Sequence, residues 1–294
     1  MSGTVETVTP SSSPSSSPTT SESRLSANTS TPQGSALRAA LVSEWTKLRS
    51  VRSTVWALVL TAVFTVGLSA LFCWAFVNRD ERRRDGSLRN FFEFDPTARS
   101  LRGVVLAQLA IGVLGVLVMS SEYTTGMIRT SLAAVPNRRI LLAAKTLILT
   151  GVSLVVGMAS AFVAFLLGQA ILDGKALGAS LGDPSVLRAI LGAGLYLTLI
   201  PMFGLALGTI IRRTPGAIAT LFGIVLILPL LADAFPEPWD VRIGRVSPLN
   251  AGQAFFSVRY DPDLLTPTQG LLVFLGWVVA SFVVAVVMAS KRDA

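Results

Sequence analysis

The chain contains no histidine and a single cysteine, Cys73. Without histidine there is no Ser-His-Asp triad, no Cys-His pair and no histidine-bearing zinc site. One cysteine cannot close a disulfide within the chain. Charge is also scarce: 14% of the 294 residues are Asp, Glu, Lys or Arg, against about 25% in soluble domains. No GxxxxGK[ST] segment occurs, so the chain has no phosphate loop to cradle a nucleotide. Gln108 and Gln169 are the main long polar side chains within the apolar runs, with Lys145 and Asp233 only at run ends. Ion-coupled transporters and intramembrane proteases place carboxylates or other catalytic groups at membrane depth, and this scarcity argues against both.

What is present is apolar. Half of the residues are hydrophobic, 51%, and long runs of them fit an all-α integral membrane protein. A helix needs about 20 mostly apolar residues to cross the hydrocarbon core. Six runs qualify: 54–76, 103–120, 143–172, 189–211, 216–234 and 269–289. The third is longer than one crossing requires, so Lys145 near its start is expected to snorkel to the surface. The formal net charge of +8 fits Lys and Arg collected on cytoplasmic segments beside anionic lipid. No basic run is interleaved with base-stacking aromatics, so no nucleic-acid partner is expected.

The organisation outside the spans divides the chain into three. Residues 1–35 are almost entirely Ser, Thr, Pro and small residues, and are expected to be a disordered tail. They lack the basic and apolar regions of a signal peptide. In residues 36–53, Leu37, Leu41, Trp45 and Leu48 recur at helical spacing, with Arg38, Lys47, Arg49 and Arg52 on the polar side. This predicts an interfacial amphipathic helix with Trp45 at headgroup depth. Residues 54–294 form the six-span domain. An even number of spans puts both termini on one side. With the termini cytoplasmic, Lys and Arg divide 13 inside to 12 outside. Seven of the outer ones are arginines of the single loop 77–102, which also carries Asp80, Glu81, Asp85, Glu93 and Asp95. Setting that loop aside leaves 13 against 5, and cytoplasmic termini are the expectation.

Three further signals concern shape. GLALG places Gly204 and Gly208 one turn apart in the fourth run, a helix-packing device open to either an intramolecular or an intersubunit partner. Pro201 and Pro229 remove backbone donors and should kink their helices. Ser247 before Pro248 predicts a short capped helix on the outer side. The most informative stretch is SEYTTGMIRTSLAAVPNRR, Ser121–Arg139. Glu122 stands at the membrane boundary and Gly126 can break the second span. Met127, Ile128, Leu132 and Val135 then share a helical face, Pro136 and Asn137 stop the turn, and Arg138 and Arg139 return the chain to an anionic surface. The result is a short cytoplasmic helix tied between two spans.

SEWTKLRSVRST before a span, SEYTTGMIRTSLAAVPNRRILLAAK between two, and SPLNAGQAF before the last together resemble the membrane-spanning permeases of type-2 ABC transporters. The likeness runs from about Leu37 to the C-terminus. It implies a six-span half-transporter in the bacterial plasma membrane that pairs with a second permease, as homodimer or heterodimer, and exports a substrate. It implies a separate cytoplasmic ATPase that binds the ATP, so this chain needs no cofactor and is not itself an enzyme. Carried over, Gly126–Val135 would be the coupling helix on that ATPase. Glu122, Gly126, Arg129 and Pro136 would belong to the coupling element, flanked by Arg138, Arg139 and Lys145. A secondary transporter or a non-transporting scaffold or sensor subunit are the alternatives. The Ser/Thr/Pro tail and the arginine-dense loop are not general to the family.

Overall fold

The computed structural model describes residues 33–82, 95–134, 137–174, 177–232, 234–236, 239–258 and 265–291. Most of the N-terminal tail, residues 83–94 of the arginine-dense loop, Val135, Pro136 and Asp233 lie outside them. The described residues are helical, with no strand among them.

Helix α1 (Gln33–Ser50) precedes the first span, α2 (Arg52–Asn78). A short helix α3 (Pro96–Ser100) leads into the second span, α4 (Val104–Thr124). The short α5 (Met127–Ala134) follows, then the 36-residue third span α6 (Arg138–Asp173). The remaining spans are α7 (Val186–Ile211), α8 (Thr214–Ala232) and α11 (Pro267–Lys291). Between the last two lie α9 (Trp239–Val246) and α10 (Pro248–Phe256). All six spans are long and apolar enough to cross a membrane, and each overlaps one of the six apolar runs.

Helix α7 is the hub, packed by α4, α6, α8 and α11. Its most apolar stretch is 83% buried, against 17% for that of α11. In a bilayer, apolar residues gain little by leaving lipid, so backbone proximity decides which helices associate. The α4–α7 contact has that character. A Cβ on Gly115 would collide with the Pro201 carbonyl, and one on Gly204 with the Gly112 carbonyl. One on Gly208 would come within 2.8 Å of the Val116 oxygen. Glycine on both helices therefore lets the two backbones touch.

Two spans contain a π-helical turn, Phe64–Leu68 in α2 and Gly223–Ile227 in α8. The second lies just before Pro229, which has no N–H to give to Val225, and a widened turn is one way for a helix to absorb that loss. The inward stripe of α2 is small and mostly hydroxylated: Thr54, Ala57, Thr61, Thr65, Ser69 and Cys73 are all buried. Thr61 and Thr65 return their hydroxyls to carbonyls four residues back, each at 2.7 Å. The outward side, including Val55, Trp56, Val63 and Trp74, is exposed as a lipid-facing surface would be.

The two ends of the bundle differ. One end, here the proximal end, collects α1, α5, the start of α6 and the last turns of α4, α7 and α11. The other, distal end carries α3, α9 and α10. There Ser247 accepts from the Asn250 N–H at 3.4 Å and starts α10, as the Ser-Pro pair predicted. Helix α9 has no counterpart among the predicted elements. The Trp277 indole donates to the Val246 carbonyl at 2.8 Å and ties α9 to α11.

Candidate functional site

The chemistry of the molecule concentrates at the proximal end, in four charged side chains from three helices. On α1, the residues facing the bundle are Ala40, Glu44 and Leu48, at 1%, 3% and 8% exposure, spaced one turn apart. The carboxylate of Glu44 therefore enters the interior on an otherwise small and apolar stripe. Glu122 occupies the last turn of α4 and Lys145 the start of the third turn of α6. Both are buried.

The Lys145 ammonium donates to Glu44 Oε2 at 2.6 Å and to Glu122 Oε1 at 2.7 Å. Lys47, one turn along α1, donates to Glu44 Oε1 and Glu122 Oε1, both at 2.9 Å. It also reaches Ser131 Oγ of α5 at 3.1 Å. Two acids face two ammoniums, so the cluster is formally neutral. That balance is what makes burial tolerable, because an isolated ion in a low-dielectric interior is far more expensive than a paired one. Glu122 Oε2 is buried without a hydrogen-bond partner, so the cluster is not fully satisfied. Burial lowers the proton affinity of Lys47, but its hydrogen bonds to Glu44 and Glu122 outweigh that, and its pKa lies above the usual 10.5.

The sequence placed Lys145 at the surface with a snorkelling ammonium. The structure corrects this: the side chain is 2% exposed, because two carboxylates await it inside. Glu44 was not singled out at all, and Lys47 was assigned to the polar side of α1. The available signal was an acid at i+4 from Ala40 and i−4 from Leu48, within the apolar stripe. Trp45, expected at headgroup depth, is 49% exposed and points away from the bundle.

Helix α5 hangs from this cluster. Gly126 adopts φ +72°, a left-handed conformation that glycine takes without a Cβ penalty, and the chain turns there between α4 and α5. Ile128 and Ser131 are buried, with Leu132 partly so. Met127, expected on that same face, is 47% exposed. The small Ser131 takes the inward position instead and meets Lys47. Arg129, Thr130, Ala133 and Ala134 are exposed, so the outer face of α5 is a small patch with a single guanidinium. Asn137 caps α6 by accepting from the Arg139 N–H at 3.0 Å. Arg138 donates to the Ala289 carbonyl of α11 at 2.8 Å, and Arg139 is exposed. Of the residues expected in a coupling element, Glu122 lies in the ion cluster, Gly126 at the turn and Arg129 on the open face. Arg138 binds another span, and Pro136 is outside the described residues.

A six-helix apolar bundle with a short amphipathic helix held by buried charges is a multi-pass membrane protein. The chain matches the family described as ABC-2 family transporter protein over residues 40–229, and it belongs to that family, as a permease subunit of an ABC transporter. The matched region begins inside α1 and ends inside α8, so it contains the whole ion cluster and α5. No curated protein and no solved structure matches the chain.

Proposed function

We propose that the chain is one half of a dimeric exporter in the bacterial plasma membrane, with the proximal end cytoplasmic and α5 seated on a separate ATPase. The observation that carries this reading is the two-sidedness of α5. Its inner side is fixed to α1, α4 and α6 through Lys47, Glu44, Glu122 and Lys145. Its outer side, with Met127, Arg129 and Thr130, is open. A push on such a helix moves three elements together, whereas a flexible loop would absorb it. The proximal end also carries the larger share of Lys and Arg among the described residues, including Arg38, Arg49, Arg52, Arg213 and Lys291. That bias favours the cytoplasmic side.

In this mechanism ATP brings two partner ATPases together and displaces α5, Arg129 being the contact with the partner. The ion cluster carries the displacement into α1 and the starts of the spans. The pair of permeases then exchanges inward- and outward-facing states, and substrate passes along their interface. Coupling requires only that the two states bind the nucleotide-loaded ATPase with different affinity. The partner holds the nucleotide, and this chain holds no cofactor.

The test is co-purification. The chain is tagged at its C-terminus, extracted from native membranes in mild detergent and analysed by mass spectrometry. A stoichiometric soluble protein carrying a phosphate loop, lost on Arg129→Glu, is the expected result. Efficient recovery without such a partner, even after crosslinking, would overturn the docking assignment and favour a scaffold or secondary transporter.

A further inference from the structure

A cleft of about 240 Å³ opens beside α5, between α6, α7 and α11. None of the four ion-cluster residues lines it. Its interior includes Ile128, Leu132, Leu142 and Val286. Arg138, Arg139 and Arg212 also line it, and among the described residues no acidic one does.

The direction of the helices sorts these groups by depth. Helix α6 enters the bundle at this end, so Arg138 and Arg139 come before Leu142. Helices α7 and α11 end here, so Arg212 follows Thr209 and Lys291 follows Val286. At about 1.5 Å of rise per residue, the arginines sit roughly one turn closer to the end than Leu142 and Val286, the apolar lining that the spans supply, while Ile128 and Leu132 belong to α5 at the end itself. The guanidiniums are also held in place: Arg138 is bonded to the Ala289 carbonyl at 2.8 Å and Arg212 lies over the Tyr123 ring at 4.9 Å. The α11 wall is open to the hydrocarbon side. Val283 and Val287, on either side of Val286, are 58% and 43% exposed.

We propose that this cleft binds one anionic phospholipid, with its phosphate at Arg138, Arg139 and Arg212, the upper part of an acyl chain against Leu142 and Val286, and Ile128 and Leu132 of α5 beside the headgroup end. An apolar interior capped by guanidiniums, at the surface end of transmembrane helices, matches the two halves of that molecule. The lack of a carboxylate among the described lining residues is the selective feature. The ammonium of a zwitterionic headgroup finds no partner, while net negative charge meets three cations. Bound there, the lipid braces the inner side of α5 at Ile128 and Leu132, next to Ser131. The inference requires only that this end lie at a membrane surface; it does not depend on ATPase docking.

The test uses the full chain, purified in detergent, delipidated and back-titrated with dioleoyl phosphatidylglycerol or dioleoyl phosphatidylcholine, with retention read by native mass spectrometry. One phosphatidylglycerol per chain is expected, preferred by about tenfold, the scale of one hydrogen bond to a charged group. Arg139→Gln combined with Arg212→Gln should abolish the preference. The exposed Arg139→Gln alone should reduce it without touching the packing of Arg212 on Tyr123. Leu142→Trp should lower retention of both lipids, and Arg49→Gln, elsewhere at this end, should change nothing. Equal retention of the two lipids by the native chain would overturn the proposal, as would full retention by the double arginine variant. Equal displacement by free glycerol 3-phosphate would make this a soluble-anion site and overturn the lipid assignment. If co-purification of an ATPase fails while lipid retention behaves as expected, only the docking reading falls.

Discussion

The proximal and distal ends both tie spans together, but with different chemistry. The proximal end uses two buried carboxylates and two ammoniums across α1, α4 and α6. The distal end uses amides, hydroxyls and the Arg188 guanidinium on the Phe255 and Ser257 carbonyls, with no buried Asp or Glu among the described residues. Gln169 of α6 donates to Ser100 Oγ at 3.0 Å and accepts from the Ala179 N–H at 2.6 Å. Ser69 Oγ accepts from the Gly103 N–H at 3.0 Å, and Cys73 Sγ lies 3.7 Å from Ser100 Oγ. The contrast is one of consequence. A neutral tie that breaks leaves a dipole unsatisfied. A charged tie that breaks leaves an ion in a low-dielectric interior. The charged end is therefore the one at which a small displacement of one helix obliges the others to move.

The strongest way to break this contrast is to remove Lys145. Lys145→Met leaves Glu44 and Glu122 with only the partly exposed Lys47. We expect a loss of about 3–5 kcal/mol, the usual result of unpairing a buried charge, read as a lower unfolding midpoint in detergent. Adding Glu44→Gln should recover much of it, because the double variant keeps a Glu122–Lys47 pair with no surplus acid. If the two losses simply add, the cluster is not a coupled unit.

The distal counterpart is Gln169→Leu. It leaves the Ala179 N–H and the Ser100 hydroxyl short of a partner, at about 1–3 kcal/mol. The native cysteine reports on the same place. Cys73 is fully buried beside Ser100 and Gly168, so the native chain should react slowly with a membrane-permeant maleimide, and the variant faster. A variant as destabilised as Lys145→Met would erase the difference between the two ends.

These tests also mark what could be read from the sequence. The spans were legible because each is a local property: about 20 apolar residues announce themselves. The Ser247 cap and the Gly126 turn were legible for the same reason, since both are decided within four residues. The ion cluster was not. Glu44 and Lys145 are 101 residues apart in the chain, and nothing local distinguishes a lysine that snorkels from one that meets two acids inside. The error at Met127 has the same origin. A face was assigned by hydrophobicity, but the tertiary partner was Lys47, and an ammonium prefers the hydroxyl of Ser131 to a thioether. The π turn in α8 lies just before Pro229, where a kink was expected, whereas the one in α2 has no proline beside it to announce it.

A subtler comparison is between α5 and the helix it hangs from. Ser131→Ala removes one hydrogen bond and leaves the four charges in place. We expect about 0.5–1.5 kcal/mol, confined to α5 and seen as faster amide exchange there with α4 and α6 unchanged. Exchange that rises equally in all three helices would mean that Ser131 supports the cluster rather than being supported by it.

The smallest effect is expected from pH, and its sign follows from Lys47. Its pKa is raised above 10.5 in the folded chain, because the hydrogen bonds to Glu44 and Glu122 more than offset burial. A group whose folded pKa exceeds its unfolded value contributes stability that is fully present below the unfolded value. That contribution is lost as pH rises through the folded value. Across the neutral range, then, Lys47 should leave both the unfolding midpoint and the protection of α1 flat. Loosening of α1 should begin only above about 10.5, the ordinary lysine value. The lysine side chain is 29% exposed, so water screens part of the pairing and the change should be shallow. Lys47→Arg keeps the charge and should move that onset further into alkali, because a guanidinium holds its proton more strongly. An onset unmoved by this exchange would assign the alkaline transition to another group and detach Lys47 from the stability of the proximal end.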